Sequence, residues 1–236
     1  MELSALLQAC KSGDLAAVKN EVESGADINQ IGKSGSTPLI FAAESDNMDI
    51  VTYLVDKGAQ VNIKNKMGGT ALNRAAQNGN LDVMRYLLDN GVEIGPLAVI
   101  IAAREGKLGA VKLLVEKGAD VNAKQPWGHT ALMLASREGH QSIVRYLVAQ
   151  GADVSARDKN GNTALSMANE NDNIEISAIL KRSGATEQKV KKKPVAPPVD
   201  DSDDDDDDIG TDDIIDAENI ADDADEPGDN IDLDKD

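Results

Sequence analysis

The stretch that decides the fold spans residues 118–150 and reads GADVNAKQPWGHTALMLASREGHQSIVRYLVAQ. Gly118 suits the left-handed backbone conformation that ends a helix, where a Cβ would be strained. The Thr130 hydroxyl can cap a short helix predicted over 131–138, and Gly139 ends that helix. The stretch therefore predicts a loop, a helix and a sharp turn.

A second helix is predicted over about 142–149. It carries one apolar stripe, made of Ile143, Val144, Leu147 and Val148. Neither short helix can bury its apolar face alone, so the unit requires neighbours of the same kind.

Such neighbours are present, because the opening glycine recurs at spacings of 33, 33, 27 and 33 residues. The recurring glycines are Gly25, Gly58, Gly91, Gly118 and Gly151. Each is followed by a related phrase: TPLIFAA (37–43), TALNRAA (70–76), LAVIIAA (97–103), TALMLAS (130–136) and TALSMAN (163–169). A period held this well predicts a repeat architecture.

These phrases resemble the ankyrin repeat family, whose 33-residue unit is a β-turn plus two antiparallel helices with a Thr-Pro-Leu-His phrase. The closest match is Thr37-Pro38-Leu39, although other residues replace the histidine in every unit. The resemblance covers roughly residues 3–186. It implies an all-α solenoid of six helix-turn-helix units, with units 1 and 6 as solvated caps. Cys10 is then a small buried residue between helices and not a reactive thiol.

Unit 4 breaks the period, because six residues are missing between Gly91 and Gly95 relative to the next unit. In the family, successive loop tips project as a row of fingers beside a concave groove. We expect the fourth finger to be absent, leaving a notch flanked by Met67 and Trp127, and the helices of unit 4 to be intact. A neutral shortening in a tolerant loop is the alternative.

The carboxy-terminal part has a different composition. We divide the chain into a repeat domain (1–186), a basic and proline-rich linker (187–199) and an acidic tail (200–236) that is expected to be disordered. The tail carries 20 Asp and Glu against one Lys, so its net charge of −19 leaves the rest of the chain near +1. The acidity therefore belongs to the tail.

The sequence contains no complete catalytic or cofactor-binding motif. Gly32-Lys33-Ser34 is similar to the end of a phosphate-binding loop. That motif requires a glycine five residues before Gly32, and Asp27 occupies this position. The two histidines, His129 and His140, have no cysteine partner and no HExxH spacing. We therefore predict no enzyme, no cofactor and no metal site.

The resemblance implies that partners bind at the loop tips and inner helices. The candidate protein-binding residues are Lys33, Lys66, Met67, Arg104, Lys124, Trp127, His129, Arg137 and Lys159. Together with Lys64 and Arg157 they make this face positive, so we expect a protein partner with an acidic surface. Trp127, the single tryptophan, either anchors the interface or packs on its own loop.

The function that follows is a non-enzymatic protein-binding module, an adaptor, scaffold or regulator. Residues 187–236 span roughly 40 Å as a flexible chain, enough for the tail to bind the protein's own basic face or to hold basic proteins. An acidic-tail chaperone or scaffold for basic client proteins is the alternative function. The tail disfavours nucleic acid as a direct ligand.

Localisation follows from what the sequence lacks. There is no apolar run long enough to span a membrane and no signal-peptide pattern at the amino terminus. We expect a cytoplasmic protein without membrane contact, or a nuclear one in a eukaryote, where the lysines at 189–193 fit an import signal.

Overall fold

The computed structural model describes residues 3–186, and within them the chain forms twelve α-helices and no strand. The helices pair across turns of two or three residues, so the expected six helix-turn-helix units are confirmed. They are α1 (Ala5–Ser12), α2 (Leu15–Glu23), α3 (Pro38–Glu44), α4 (Met48–Asp56), α5 (Ala71–Asn78), α6 (Leu81–Asp89), α7 (Pro96–Arg104), α8 (Leu108–Glu116), α9 (Ala131–Arg137), α10 (Gln141–Ala149), α11 (Ala164–Glu170) and α12 (Ile174–Arg182).

The helices stack in two rows. The odd-numbered helices contact one another in sequence and form the inner row, and the even-numbered helices form the outer row in the same order. Each unit thus contacts the units before and after it, which is the arrangement of a solenoid.

Local signals in the sequence set the helix boundaries. In four units a threonine hydroxyl accepts a hydrogen bond from the backbone N–H three residues later and caps the inner helix. The capping residues are Thr37, Thr70, Thr130 and Thr163. The repeat glycines adopt the left-handed conformation, with φ of +95° at Gly118, as predicted.

The core lies between the two rows and is built from small and aliphatic side chains. Alanines of the inner helices are fully buried where neighbouring units meet, which brings their backbones close together. Cys10 occupies the same position in unit 1 and is also fully buried, as predicted. Burial raises the pKa of the Cys10 thiol to about 12.

Unit 4 differs from its neighbours in more than its loop. Helix α7 begins at Pro96 with Gly95 as an N-cap that has no side chain, whereas the threonine-capped helices begin two positions later in the repeat. Both helices of unit 4 are therefore intact, and α7 is longer at its start because it includes Pro96 and Leu97 where the other units have a finger.

The predicted linker (187–199) and acidic tail (200–236) lie outside the described residues, which end at the proposed domain boundary after 186. Among residues 3–186, no helix is long and apolar enough to cross a membrane.

Candidate protein-binding surface

The loops that precede four of the inner helices are hairpin fingers. Each finger is closed by a backbone hydrogen bond of 2.8 to 3.1 Å between its first and last residues. We number the fingers by unit: finger 2 is 32–36, finger 3 is 65–69, finger 5 is 125–129 and finger 6 is 158–162.

The fingers are joined in two pairs. The Lys66 N–H of finger 3 donates to the Ser34 carbonyl of finger 2 at 3.0 Å, and the Lys159 N–H of finger 6 donates to the Trp127 carbonyl at 2.9 Å. Unit 4 has no finger, so the row consists of two hydrogen-bonded pairs with an interruption between them.

Glycine is required where paired fingers meet. A Cβ on Gly35 would lie 2.8 Å from the Lys66 nitrogen, and one on Gly128 would lie 3.0 Å from the Asp158 Cα. Both glycines also have φ near +80°. The two finger pairs therefore share one construction.

A second set of bonds ties the base of each loop to the next unit. The side-chain oxygen of Asn29 accepts from the Gln60 N–H, and that of Asn62 accepts from the Glu93 N–H. Asn122 makes the same bond to Asp153. The equivalent residue of unit 4 is Gly95, which has no side chain to offer to unit 5.

The tips carry exposed cations and two large apolar side chains. Lys33, Lys66 and Lys159 are exposed, and Met67 and Trp127 are half-buried. The Lys159 ammonium lies 5.2 Å from the centroid of the Trp127 ring, a cation–π contact between fingers 6 and 5. Trp127 thus packs against the neighbouring finger and still retains exposed surface.

Arg104 and Arg137 end the inner helices α7 and α9, and each is paired with the glutamate that follows it. The Arg104–Glu105 and Arg137–Glu138 distances are both 2.8 Å. These acids offset the two arginines, so the positive charge of the surface is concentrated on the fingers.

His129 and Lys124 take part in contacts inside the finger 5–6 pair. The Gln125 amide lies 2.8 Å from His129 Nδ1, and His129 Nε2 lies 3.3 Å from Asp158 Oδ2; a proton on Nε2 satisfies both contacts. Only 14% of the His129 side chain is exposed. Lys124 Nζ donates to the Arg157 carbonyl at 3.3 Å. These two residues therefore hold the fingers in position.

Lys124 also lies close to Asp153 at the base of finger 6. Hydrogen bonds from the Ser155 hydroxyl and backbone N–H lower the pKa of the Asp153 carboxyl, and the Lys124 charge adds a smaller effect in the same direction.

Sequence reasoning missed the residues that shape the fingers from inside. Asn65 accepts from two N–H groups of finger 3, at 3.0 and 2.7 Å. Asp158 does the same for finger 6, at 2.9 and 2.7 Å. The signal was present, since an Asn or Asp three residues before a glycine is typical of a turn that folds around its side chain.

Comparisons with known proteins agree with this architecture. Residues 6–97 and 99–192 each match the family model for ankyrin repeats (3 copies). No curated protein sequence matches the chain.

Two solved structures are similar to the chain. One is a structure of the predatory endopeptidase Bd0816 from Bdellovibrio bacteriovorus in complex with immunity protein Bd3460; a chain of it is 33% identical, with a TM-score of 0.68, over 77% of this chain and 99% of that one. The other is the human ASB11 ankyrin repeat domain, 23% identical with a TM-score of 0.72, over 78% of this chain and 85% of that one; this likeness shows the fold alone. The family model spans most of the sequence, and the chain belongs to the ankyrin repeat family.

Proposed function

We propose that the chain is a non-enzymatic protein-binding module that recognises an acidic protein surface through its finger tips and inner helices. Ankyrin repeats in general are protein–protein interaction modules and not catalysts. The observation that carries the proposal is the row of two hydrogen-bonded finger pairs with Lys33, Lys66 and Lys159 exposed at the tips.

Rigidity and charge both favour recognition at this surface. Backbone bonds hold the fingers before a partner arrives, so little conformational entropy is lost on binding. Exposed lysines steer an acidic partner and raise its association rate, with a salt dependence that is easily measured. Trp127 adds the kind of partly exposed aromatic side chain that anchors interfaces.

The test is affinity capture from the native source with quantitative mass spectrometry. We expect the double variant Lys66→Glu/Lys159→Glu to lose the specifically captured proteins by about tenfold or more, because each reversal replaces attraction with repulsion. The matched control is Arg85→Glu/Arg145→Glu, which makes the same charge change at exposed positions on the outer helices α6 and α10. Equal losses in the two variants would contradict a binding surface on the fingers.

The same experiment addresses the acidic tail. We propose that the tail competes with acidic partners for the basic fingers, and deletion of 187–236 should then increase capture. If the captured proteins are basic and require the tail but not the repeats, the chain is instead a chaperone or scaffold for basic clients.

A second candidate function is inhibition of a peptidase. It is favoured by the 33% identity with a chain of the endopeptidase–immunity protein complex, over 99% of that chain. A peptidase recovered by capture should lose activity on stoichiometric addition of the wild-type chain and retain it with Lys66→Glu/Lys159→Glu. Undiminished hydrolysis at saturating wild-type chain would exclude inhibition of that peptidase.

A further inference from the structure

The interruption in the finger row exposes a small apolar surface. It consists of Met67 on finger 3, Leu97 at the start of α7 and Trp127 on finger 5, and we call these three residues the finger gap. All three are partly exposed, and none packs against the hydrophobic core. Leu97 Cδ1 lies 3.7 Å from the position that a Cβ on Gly68 would occupy, so the Leu97 side chain is close to finger 3.

The width of the finger gap follows from the spacing of the units. Packed helix layers lie roughly 10 Å apart, so fingers 3 and 5 are separated by roughly 20 Å and the missing finger leaves about 10 Å. That width accommodates one extended or helical peptide segment, since a helix with its side chains is about 10 to 12 Å across.

Positive charge borders the apolar surface. Lys66 is exposed beside Met67, and Lys159 lies over Trp127 from the side of finger 6. Trp127 belongs to finger 5, which borders the interruption in the row, and Lys159 covers its ring from unit 6. A ligand therefore meets aliphatic and aromatic side chains in the centre and lysines at the rim.

Resting on the proposed function, we propose that the finger gap binds an acidic peptide segment that carries adjacent aliphatic side chains. The aliphatic pair contacts Met67, Leu97 and Trp127, and flanking carboxylates meet Lys66 and Lys159. A segment of this chemistry is DDIID at 212–216 of the sequence, and it provides the peptide that tests the proposal. Charge alone does not explain this choice of segment over the aspartate run at 200–208, because that run has no side chain for the apolar centre.

Trp127 is the single tryptophan of the chain and reports on the finger gap directly. The host protein is the chain of residues 1–236 with Ile214→Ser and Ile215→Ser. The synthetic peptide is then the only copy of this segment that carries the adjacent pair of isoleucines. The probe is the peptide IGTDDIIDAENI, residues 209–220, which has no aromatic residue. Its control is the same peptide with both central isoleucines replaced by serine, which keeps every charge.

We expect the probe to shift Trp127 emission to shorter wavelength and to bind at least tenfold more tightly than the serine peptide. Met67→Ser and Lys66→Glu should each weaken binding of the probe by about tenfold. The decisive variant is a finger graft in which residues 95–97 are replaced by a copy of 62–70, which fills the finger gap. It should abolish binding while circular dichroism shows an intact fold.

Equal affinity for the two peptides, or undiminished binding to the finger graft, would overturn the proposal. If the graft fails to fold, Met67→Ser decides, since a surface substitution at a finger tip leaves the core untouched. If the chain does not bind the probe but still captures partners in a way that depends on Lys66 and Lys159, the finger-gap proposal is wrong and the proposed function stands.

Discussion

Gly128 lies where the backbones of fingers 5 and 6 approach most closely. Its φ is +84°, and a Cβ there would lie 3.0 Å from the Asp158 Cα and 3.2 Å from the Lys159 nitrogen. Gly161 has almost the same φ, +83°, but no atom lies within 4 Å of the position of its Cβ. Substitution of Gly161 therefore tests backbone strain alone, whereas substitution of Gly128 tests backbone strain together with the close approach of finger 6.

We expect Gly161→Ala to lower the free energy of unfolding by about 1 kcal/mol, the cost of a left-handed alanine. Gly128→Ala should cost roughly 2 to 3 kcal/mol, because the finger pair must also separate. Urea denaturation followed by circular dichroism measures both losses. Equal losses would mean that the contact between fingers adds nothing to stability.

Cys10 gives a pH dependence whose sign follows from its burial. The folded thiol has its pKa raised to about 12, above its value in the unfolded chain, so ionisation favours unfolding. The stabilising effect is complete below the unfolded pKa of roughly 8.5 and is lost as pH rises toward 12.

We therefore expect stability to fall by about 2 kcal/mol between pH 8 and pH 10 through Cys10 alone. The control is Cys10→Ala, which retains every other titrating group, so the difference between the two pH slopes isolates the thiol. Parallel slopes in wild type and variant would contradict the prediction.

At the scale of the element, unit 4 lacks two of the bonds that join neighbouring units elsewhere. It has no finger to pair with finger 5, and Gly95 replaces the asparagine that would bind the next unit. The junction retains a hydrogen bond of 2.7 Å from His140 Nε2 to the Arg104 carbonyl. Helix packing and this bond therefore carry a larger share of the contact between units 4 and 5.

The finger graft at 95–97 should raise the free energy of unfolding by about 1 to 2 kcal/mol, because it restores a finger contact and an asparagine bond. The control is a six-residue Gly/Ser insertion after Gly95, which adds length without those bonds and should stabilise nothing. Chemical denaturation of both variants provides the measurement. A graft no more stable than the control would show that the missing finger has no energetic role.

At the scale of the whole molecule, a solenoid is stabilised by contacts between nearest neighbours, so its weakest junction decides how it opens. The junctions on either side of unit 4 differ. Between units 3 and 4 the Asn62 side chain accepts a hydrogen bond from the Glu93 N–H, whereas between units 4 and 5 Gly95 has no side chain to make the equivalent bond. Units 5 and 6 are in turn tied together by their finger pair and by Asn122.

Native-state hydrogen exchange should therefore show α9 to α12 opening together, at a free energy below that of global unfolding. In the finger graft, the exchange of these helices should merge with that of α5 to α8, because the two groups become coupled. A single opening free energy for all inner helices of the wild type would contradict a weak junction.

The sequence by itself determined the fold, because the determinants of each unit are local. The 33-residue period, the capping threonines and the left-handed glycines each act within a few residues, and each is recognisable without the tertiary structure. The same holds for the missing finger, which is visible as six absent residues. The exposure of Lys33, Lys66 and Lys159 was also predictable from their positions in the loops.

Only the tertiary structure decided what those residues contact, because the contacts join units 30 or more residues apart. It placed His129 against Asp158, paired Lys159 with Trp127 and brought Leu97 close to Gly68 of finger 3. The structure also showed that α7 is longer than the threonine-capped helices, because Pro96 and Leu97 are part of the helix where the other units have a finger. Repeat patterns fix the unit, but the chemistry of a binding surface arises where neighbouring units meet, and that is set by packing in three dimensions.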